Sequence, residues 1–297
     1  MSAAAVPPAR RRRAVHFVPG GNDRFLERAL ASAADTLVLD LEDSIPPPRK
    51  PDARRAVLAW LAGVDPGGKE LMVRVNPLST PWGRDDAEAA VAGGADSLMV
   101  PKVGSAADLD ALDAVVRAVG AGSGVTFFPV ATETAEAVVN LAATAAHPRL
   151  DGMCWGAEDL SAVLGARATR DATGRLLPVF EMVRSTCLLA AAASGKQAVD
   201  AVYTDLRDHE GLRADAALGA AMGFDGKVTI HPDQIEIVNE AFTPTSAEVD
   251  EARELLAAAA ENEAAGRLAF SFRGQMVDQP HLARARRLLA RAGDGAR

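Results

Sequence analysis

Cysteine is scarce in this sequence: Cys154 and Cys187 are the only two among 297 residues. Neither lies in a CxxC pair or a Cys/His array, which excludes a disulfide-held miniature fold and argues against structural zinc. A reducing, cytoplasmic setting is the expectation that follows. Apolar runs are short as well. None approaches the ~18 residues of a membrane-crossing helix, so no membrane partner is expected. Positive charge is in deficit, with 32 Lys and Arg against 40 Asp and Glu and a net charge of −8. That balance argues against nucleic acid or an anionic membrane surface as the main partner. The one basic run, ARRRRAV, sits near the start and reads as part of a solvated, flexible tail over residues 1–13. The opening MSAAAVPPARRRR has no apolar segment after its charges and does not read as a secretory signal, although a very short organellar presequence stays open. No GxGxxG follows the first strand-like run, which weakens a dinucleotide-binding open sheet.

What is present is a globular composition, 48% hydrophobic and 24% charged, enough for a substantial core. Short β-rich runs alternate with alanine-rich helical stretches. The runs are AVHFVP (14–19), TLVLDL (36–41), LMVRVN (71–76), SLMVPK (97–102), VTFFPV (125–130), DGMCWG (151–156), QAVDAV (197–202) and GKVTI (226–230). They are mostly apolar on both faces, as strands covered on both sides should be. Eight strand–helix repeats predict an α/β fold, the (β/α)8 TIM barrel, whose usual size is ~250 residues. The catalytic barrel is expected over 14–245. More helices follow than a barrel needs, so 246–297 reads as a C-terminal helical extension and lid.

In such barrels chemistry collects at the carboxyl ends of the strands. There the second strand ends in Asp40, Glu42 and Asp43, and the third carries Arg74 and Asn76. The fourth ends in Lys102, Glu133 follows the fifth, Glu158 and Asp159 follow the sixth, and His231 follows the eighth. Strand interiors are almost free of charge, so six strands agree on one rim. Carboxylates from separate strands, here Glu133 and Asp159, suit Mg2+, which takes one or two protein carboxylates and keeps other positions for water and substrate oxygens. Arg74 adds an always-charged fork for a carboxylate or enolate oxygen. Asp40, Glu42 and Asp43 are expected to orient Arg74 or metal-bound waters from behind. Each residue has an ordinary alternative: a first-turn helix acid for Glu133, an N-cap for Asp159, and a structural partner of the Asp40 cluster for Arg74.

The motifs FVPGG, LVLDLEDSIPP, VRVNPLSTPWGRDD, MVPKVGSAADLDAL, TETAEAV, WGAEDLSAVLG, GFDGKVTIHPDQIEIVNEAFTPT and GQMVDQP resemble the HpcH/HpaI aldolase and citrate lyase family. The branch they resemble holds the citrate lyase beta subunit, malyl-CoA lyase and citramalyl-CoA lyase. The resemblance runs from about Val15 to about Leu289. It implies a (β/α)8 barrel that cleaves or forms a C–C bond beside a CoA thioester with Mg2+, Mn2+ being the other ion to consider. By match, Glu133 and Asp159 are metal ligands, and Arg74 contacts substrate and acts in catalysis. Gly156, Ala157 and Glu158, with Glu133, hold the acid. Phe17 and Arg28 match residues that contact CoA, and Ile230 and His231, at the end of the eighth strand, are expected to contact it as well. Asn22 stands where relatives often carry an arginine in PGxRP, which weakens one CoA-phosphate contact. Asp278 matches a lid aspartate that reaches a neighbouring subunit's site as an acid–base group, implying a homotrimer or hexamer; its plain alternative is a helix N-cap. Rival activities are a class II aldolase on free 2-keto acids, an acyl-CoA thioesterase, and a subunit active only in a larger citrate lyase complex.

Overall fold

The computed structural model describes residues 10–120 and 124–293; the first nine residues of the expected tail lie outside it. The first eight strands are β1 (Ala14–Pro19), β2 (Thr36–Asp40), β3 (Glu70–Arg74), β4 (Ser97–Val100), β5 (Thr126–Pro129), β6 (Gly152–Cys154), β7 (Gln197–Asp200) and β8 (Gly226–Thr229). They pair in parallel in the order β5-β4-β3-β2-β1-β8-β7-β6. Two isolated parallel bridges, Phe127 to Leu150 and Val130 to Cys154, join β5 to β6 and close the ring. The expected (β/α)8 barrel is therefore what forms. Helices α1 (Asp23–Leu30), α2 (Lys50–Gly63), α3 (Gly83–Ala92), α4 (Ala106–Ala118), α5 (Ala135–Ala145), α6 (Glu158–Leu164), α7 (Pro178–Ala193), α8 (His209–Met222) and α9 (Asp233–Phe242) alternate with them, two falling between β6 and β7.

Each strand gives one side chain to the middle of the barrel: Val15, Val38, Met72, Met99, Phe128, Cys154, Val199 and Val228, all buried. This layer explains why the strands read as apolar runs. Below it lies a polar plug that the sequence had not suggested. The tail expected over 1–13 is anchored at its inner end, because Arg12 is 1% exposed beneath β1. Its guanidinium donates to Glu70 through Nε (2.8 Å) and Nη2 (2.7 Å), to Asp151 (2.8 Å) and to Gln197 (2.9 Å). Glu70 also accepts from Arg10, Thr36 and Ser97. Arg13 pairs with Asp35 at 2.9 Å. A solvated basic tail is thus corrected for Arg10, Arg12 and Arg13: buried acids at the strand starts need partners, and these arginines supply them.

The chain divides into two compact units, one ending at Asn239 and the other beginning at Glu240, a few residues before the boundary expected at 245. In the second unit, α10 (Ser246–Ala264) starts at a capping box in which Thr245 and Glu248 exchange bonds, the sequence signature of a helix start. An antiparallel hairpin follows, β9 (Phe270–Phe272) and β10 (Gln275–Val277). Its two-residue turn, Arg273–Gly274, has positive φ at both positions, as tight hairpin turns demand. Helix α11 (Gln279–Arg291) completes the unit. Ala259, Val277 and Leu282 form its small core. Among the described residues, no helix is long and apolar enough to cross a membrane.

Candidate active site

The carboxyl ends of the strands open into a cavity of about 460 Å³. Phe17, Asp40, Asp43, Arg74, Glu133, Gly156, Ala157, Glu158, Asp159 and Ile230 all line it, so residues spread over 214 positions of sequence are brought together. The lining belongs entirely to the first unit.

Asp40, the last residue of β2, organises the acidic loop that follows. One carboxylate oxygen accepts the Glu42 N–H (2.8 Å) and the other the Ser44 N–H (3.1 Å), bending the chain back over the end of β3. There Arg74 grips Asp40 in a fork, Nε at 2.7 Å and Nη2 at 2.8 Å. Burial alone would raise the Asp40 pKa, but Arg74 with the Ser44 and Glu42 contacts holds it below the usual carboxylate range. The same guanidinium approaches Glu42 at 3.0 Å and Asp43 at 3.5 Å, and lies 4.6 Å over the Phe17 ring. Arg74 is thus a structural partner of the Asp40 cluster and also lines the cavity. Buried Lys50 fixes the loop from beneath, donating to the Leu41 and Glu42 carbonyls and to Asn76. Sequence reasoning missed Lys50, which stands in a helix with nothing local to mark it.

Glu133 follows β5 and is 4% exposed. Thr134, not Glu133, caps α5. One Glu133 oxygen accepts the backbone N–H of Lys102. Lys102 itself has φ +53°, a left-handed conformation that costs a non-glycine residue about 1–2 kcal/mol. Burial pushes Glu133 up to about 8, against the Lys102 N–H and with added repulsion from Asp159 and Glu42. Burial likewise raises Glu42, outweighing Arg74 and Lys102. Gly156 makes room for Glu133: a Cβ at that position would sit 3.0 Å from both Glu133 Cγ and Val130 Cγ1. The Gly156 N–H is taken by Thr132 Oγ1 at 2.9 Å, so Ala157 and the residues after it carry the amides left for an acid group. Asp159 is the second residue of α6, whose N-cap is Ala157, so the N-cap alternative for Asp159 fails. Its carboxylate lies 3.6 Å from the Lys102 ammonium. That ammonium also contacts Glu42 and lies 3.7 Å from Asp43.

Among the described residues, no three His, Cys, Asp or Glu side chains form a complete metal cage. A cation here would have two protein carboxylates, Glu133 and Asp159, and an otherwise open shell. Hard oxygen donors, an acid whose pKa burial and neighbouring carboxylates raise, and room for water and substrate fit Mg2+.

Other expected contacts fall elsewhere. Arg28 is exposed in the last turn of α1, and His231 is half-buried beside Asp233 at 3.5 Å; neither lines the cavity. Asn22 caps α1, accepting the Phe25 N–H at 3.3 Å. Asp278 lies in the second unit as N-cap of α11, with His281 Nδ1 2.6 Å from its carboxylate.

A parallel (β/α)8 barrel with an arginine-bearing, carboxylate-rich mouth has the architecture of a barrel enzyme, its polar residues gathered at the carboxyl ends of the strands. The chain belongs to the HpcH/HpaI aldolase/citrate lyase family, whose sequence pattern matches residues 13–232. It is similar to a (3S)-malyl-CoA thioesterase of Cereibacter sphaeroides, 42% identical over 280 residues and covering 94% of each chain. It is similar too to an L-malyl-CoA/beta-methylmalyl-CoA lyase of the same species, 38% identical over 291 residues and covering 92% of each. Among solved structures it resembles protein CitE from Mycobacterium tuberculosis in complex with magnesium, acetoacetate and coenzyme A. That match has TM-score 0.79 and 39% identity, and covers 95% of this chain and 98% of the other.

Proposed function

We propose that this chain is a Mg2+-dependent carbon–carbon lyase acting on a 3-hydroxyacyl-CoA ester such as citryl-, malyl- or citramalyl-CoA. It would cleave the ester to acetyl-CoA and a 2-keto acid, or join them by Claisen condensation. The observation that carries the proposal is the meeting of Glu133, Asp159 and Arg74 at one cavity. The neighbour bound to magnesium, acetoacetate and coenzyme A supports the choice of ligands, and the malyl-CoA lyase relative supports the reaction.

Glu133 and Asp159 would hold Mg2+, which when bound supplies Lewis acidity to an oxygen gaining negative charge. Asp40 takes Nε and one Nη2 hydrogen of Arg74, and the acidic loop faces Nη1. The second Nη2 hydrogen remains for a substrate oxygen, in a guanidinium already fixed before the reaction starts. The amides from Ala157 onward would receive the acid's carboxylate, while Phe17 and Ile230 form the wall toward CoA and Arg28 and His231 lie outside it. In cleavage a base takes the β-hydroxyl proton, the C–C bond breaks, and its electron pair becomes the enolate of the acyl-CoA. Asp278 from a neighbouring copy in a homotrimer or hexamer would protonate that enolate carbon. The protein would work in the cytoplasm.

The test is incubation with Mg2+ and a panel of 3-hydroxyacyl-CoA esters, identifying the acids released. Release of a keto acid, abolished by EDTA, is expected; full activity in EDTA would refute the metal role. For Asp278, proton exchange of acetyl-CoA in D2O should fall in Asp278→Asn. Unchanged exchange and cleavage would remove it from the mechanism.

The similarity to thioesterases at 42% identity favours a second reading, in which water attacks the acyl carbon in the same cavity. With malyl-CoA the two part cleanly: glyoxylate marks the lyase, malate with free CoA the thioesterase.

A further inference from the structure

Lys102 touches more of this site than any motif role requires. Its backbone N–H donates to Glu133, and its ammonium contacts Glu42 and lies 3.6 Å from Asp159. One residue therefore engages both acids assigned to the cation, one through the main chain and one through the side chain. The five carboxylates Asp40, Glu42, Asp43, Glu133 and Asp159 meet Arg74 and Lys102 at the rim, while Lys50 lies buried beneath the acidic loop and bonds to its carbonyls. Arg74 is committed to the acidic loop by its fork on Asp40. That leaves Lys102 as the positive charge that reaches across to Asp159.

We propose that Lys102 is a positioning residue with two separable jobs: its backbone N–H fixes Glu133, and its ammonium stands in for the divalent cation at Asp159. The inference rests on the reading of Glu133 and Asp159 as metal ligands. An ammonium and a dication on one carboxylate repel each other. Binding of the metal then requires the ammonium to withdraw from Asp159 onto Glu42, which it already contacts. Its 35% exposed side chain has the freedom to do so. The consequence is a site in which Asp159 keeps a counter-charge without metal, with its metal affinity held down by its own lysine.

The sign of one measurement separates this from a plain structural role. Lys102→Gly keeps the N–H and adopts positive φ readily, so it deletes only the ammonium; Lys102→Arg keeps the charge. The probe is Mn2+, titrated by electron paramagnetic resonance without substrate. Lys102→Gly should bind Mn2+ about 3- to 10-fold more tightly than wild type at low ionic strength, and the gain should shrink in high salt. Lys102→Arg should stay near wild type. Equal or weaker Mn2+ binding in Lys102→Gly overturns the proposal. Asp159→Asn serves as the control: if it binds Mn2+ as well as wild type does, the metal assignment itself is what fails. Lys102→Met, which retains the main-chain strain, should also bind more tightly than wild type; if it binds no more tightly, the stand-in role is refuted there too.

Discussion

At the N-terminal end of the barrel, buried Glu70 accepts bonds from Arg10, Arg12, Thr36 and Ser97. At the C-terminal end, equally buried Glu133 accepts one main-chain N–H and has Asp159 and Glu42 close enough to repel it. Burial would raise both; the Arg12 bonds instead bring Glu70 down to about 2, whereas Glu133 is pushed up to about 8. The two ends share a fold and a residue type and differ in the donors and counter-charge that meet the buried acid. A buried acid with its cation built into the chain is structure, and a buried acid short of a cation is a place for one to arrive.

The largest expected effect tests the closed end. Glu70→Ala strands the Arg12 guanidinium without its main partner, and should lower stability by about 3–5 kcal/mol, read from the denaturation midpoint. A loss below about 1 kcal/mol would mean the plug resembles a surface ion pair and would undo the comparison. The open end should respond in the other way. Asp159→Asn should lower Mg2+-dependent cleavage at least about 100-fold while melting in EDTA no earlier than wild type. A folding defect as large as that of Glu70→Ala would make the two ends alike. Gly156→Ala pushes a methyl to 3.0 Å from Glu133 Cγ, and should weaken Mn2+ binding by about tenfold; unchanged affinity would show that Glu133 has slack.

The smallest effect concerns pH, and its sign differs between the ends. Glu133 rises from its ordinary 4.5 to about 8 on folding, so between those values the folded chain holds the extra proton and stability falls as pH rises. Glu70 drops from 4.5 to about 2, so its contribution is lost as pH falls through that lower window. In EDTA, the melting temperature of wild type minus that of Glu133→Gln should decline by a few degrees from pH 5 to pH 8. A flat difference would show that Glu133 shares its charge better than its neighbours suggest.

Much of the open end was legible in the sequence because strand ends in an apolar background expose each polar residue one at a time. Asp40, Arg74, Glu133 and Asp159 stand out that way, and all four line the cavity. The barrel was legible for the same reason: strands buried on both faces read as short apolar runs. The closed end was not. Arg12 belongs to a run of four arginines that looks like a tail, and its burial depends on Glu70, 58 positions away, a pairing with no local signature. Lys102 was visible as a strand end, but its positive φ was not, since a lysine carries no mark of that conformation. For Asp278 the sequence motif and the helix cap coincide, because the same residue begins α11.

One feature of the ring joins these observations. The strands that precede Glu133 and Asp159, β5 and β6, are also the two that meet through isolated bridges alone. A divalent ion gripped by both would act as a rivet across the barrel's thinnest joint, tying the stave before one carboxylate to the stave before the other. Loading the ion should then slow amide exchange around Phe127, Val130 and Cys154 more than at the β1–β2 contact, where the hydrogen-bonded ladder is already continuous.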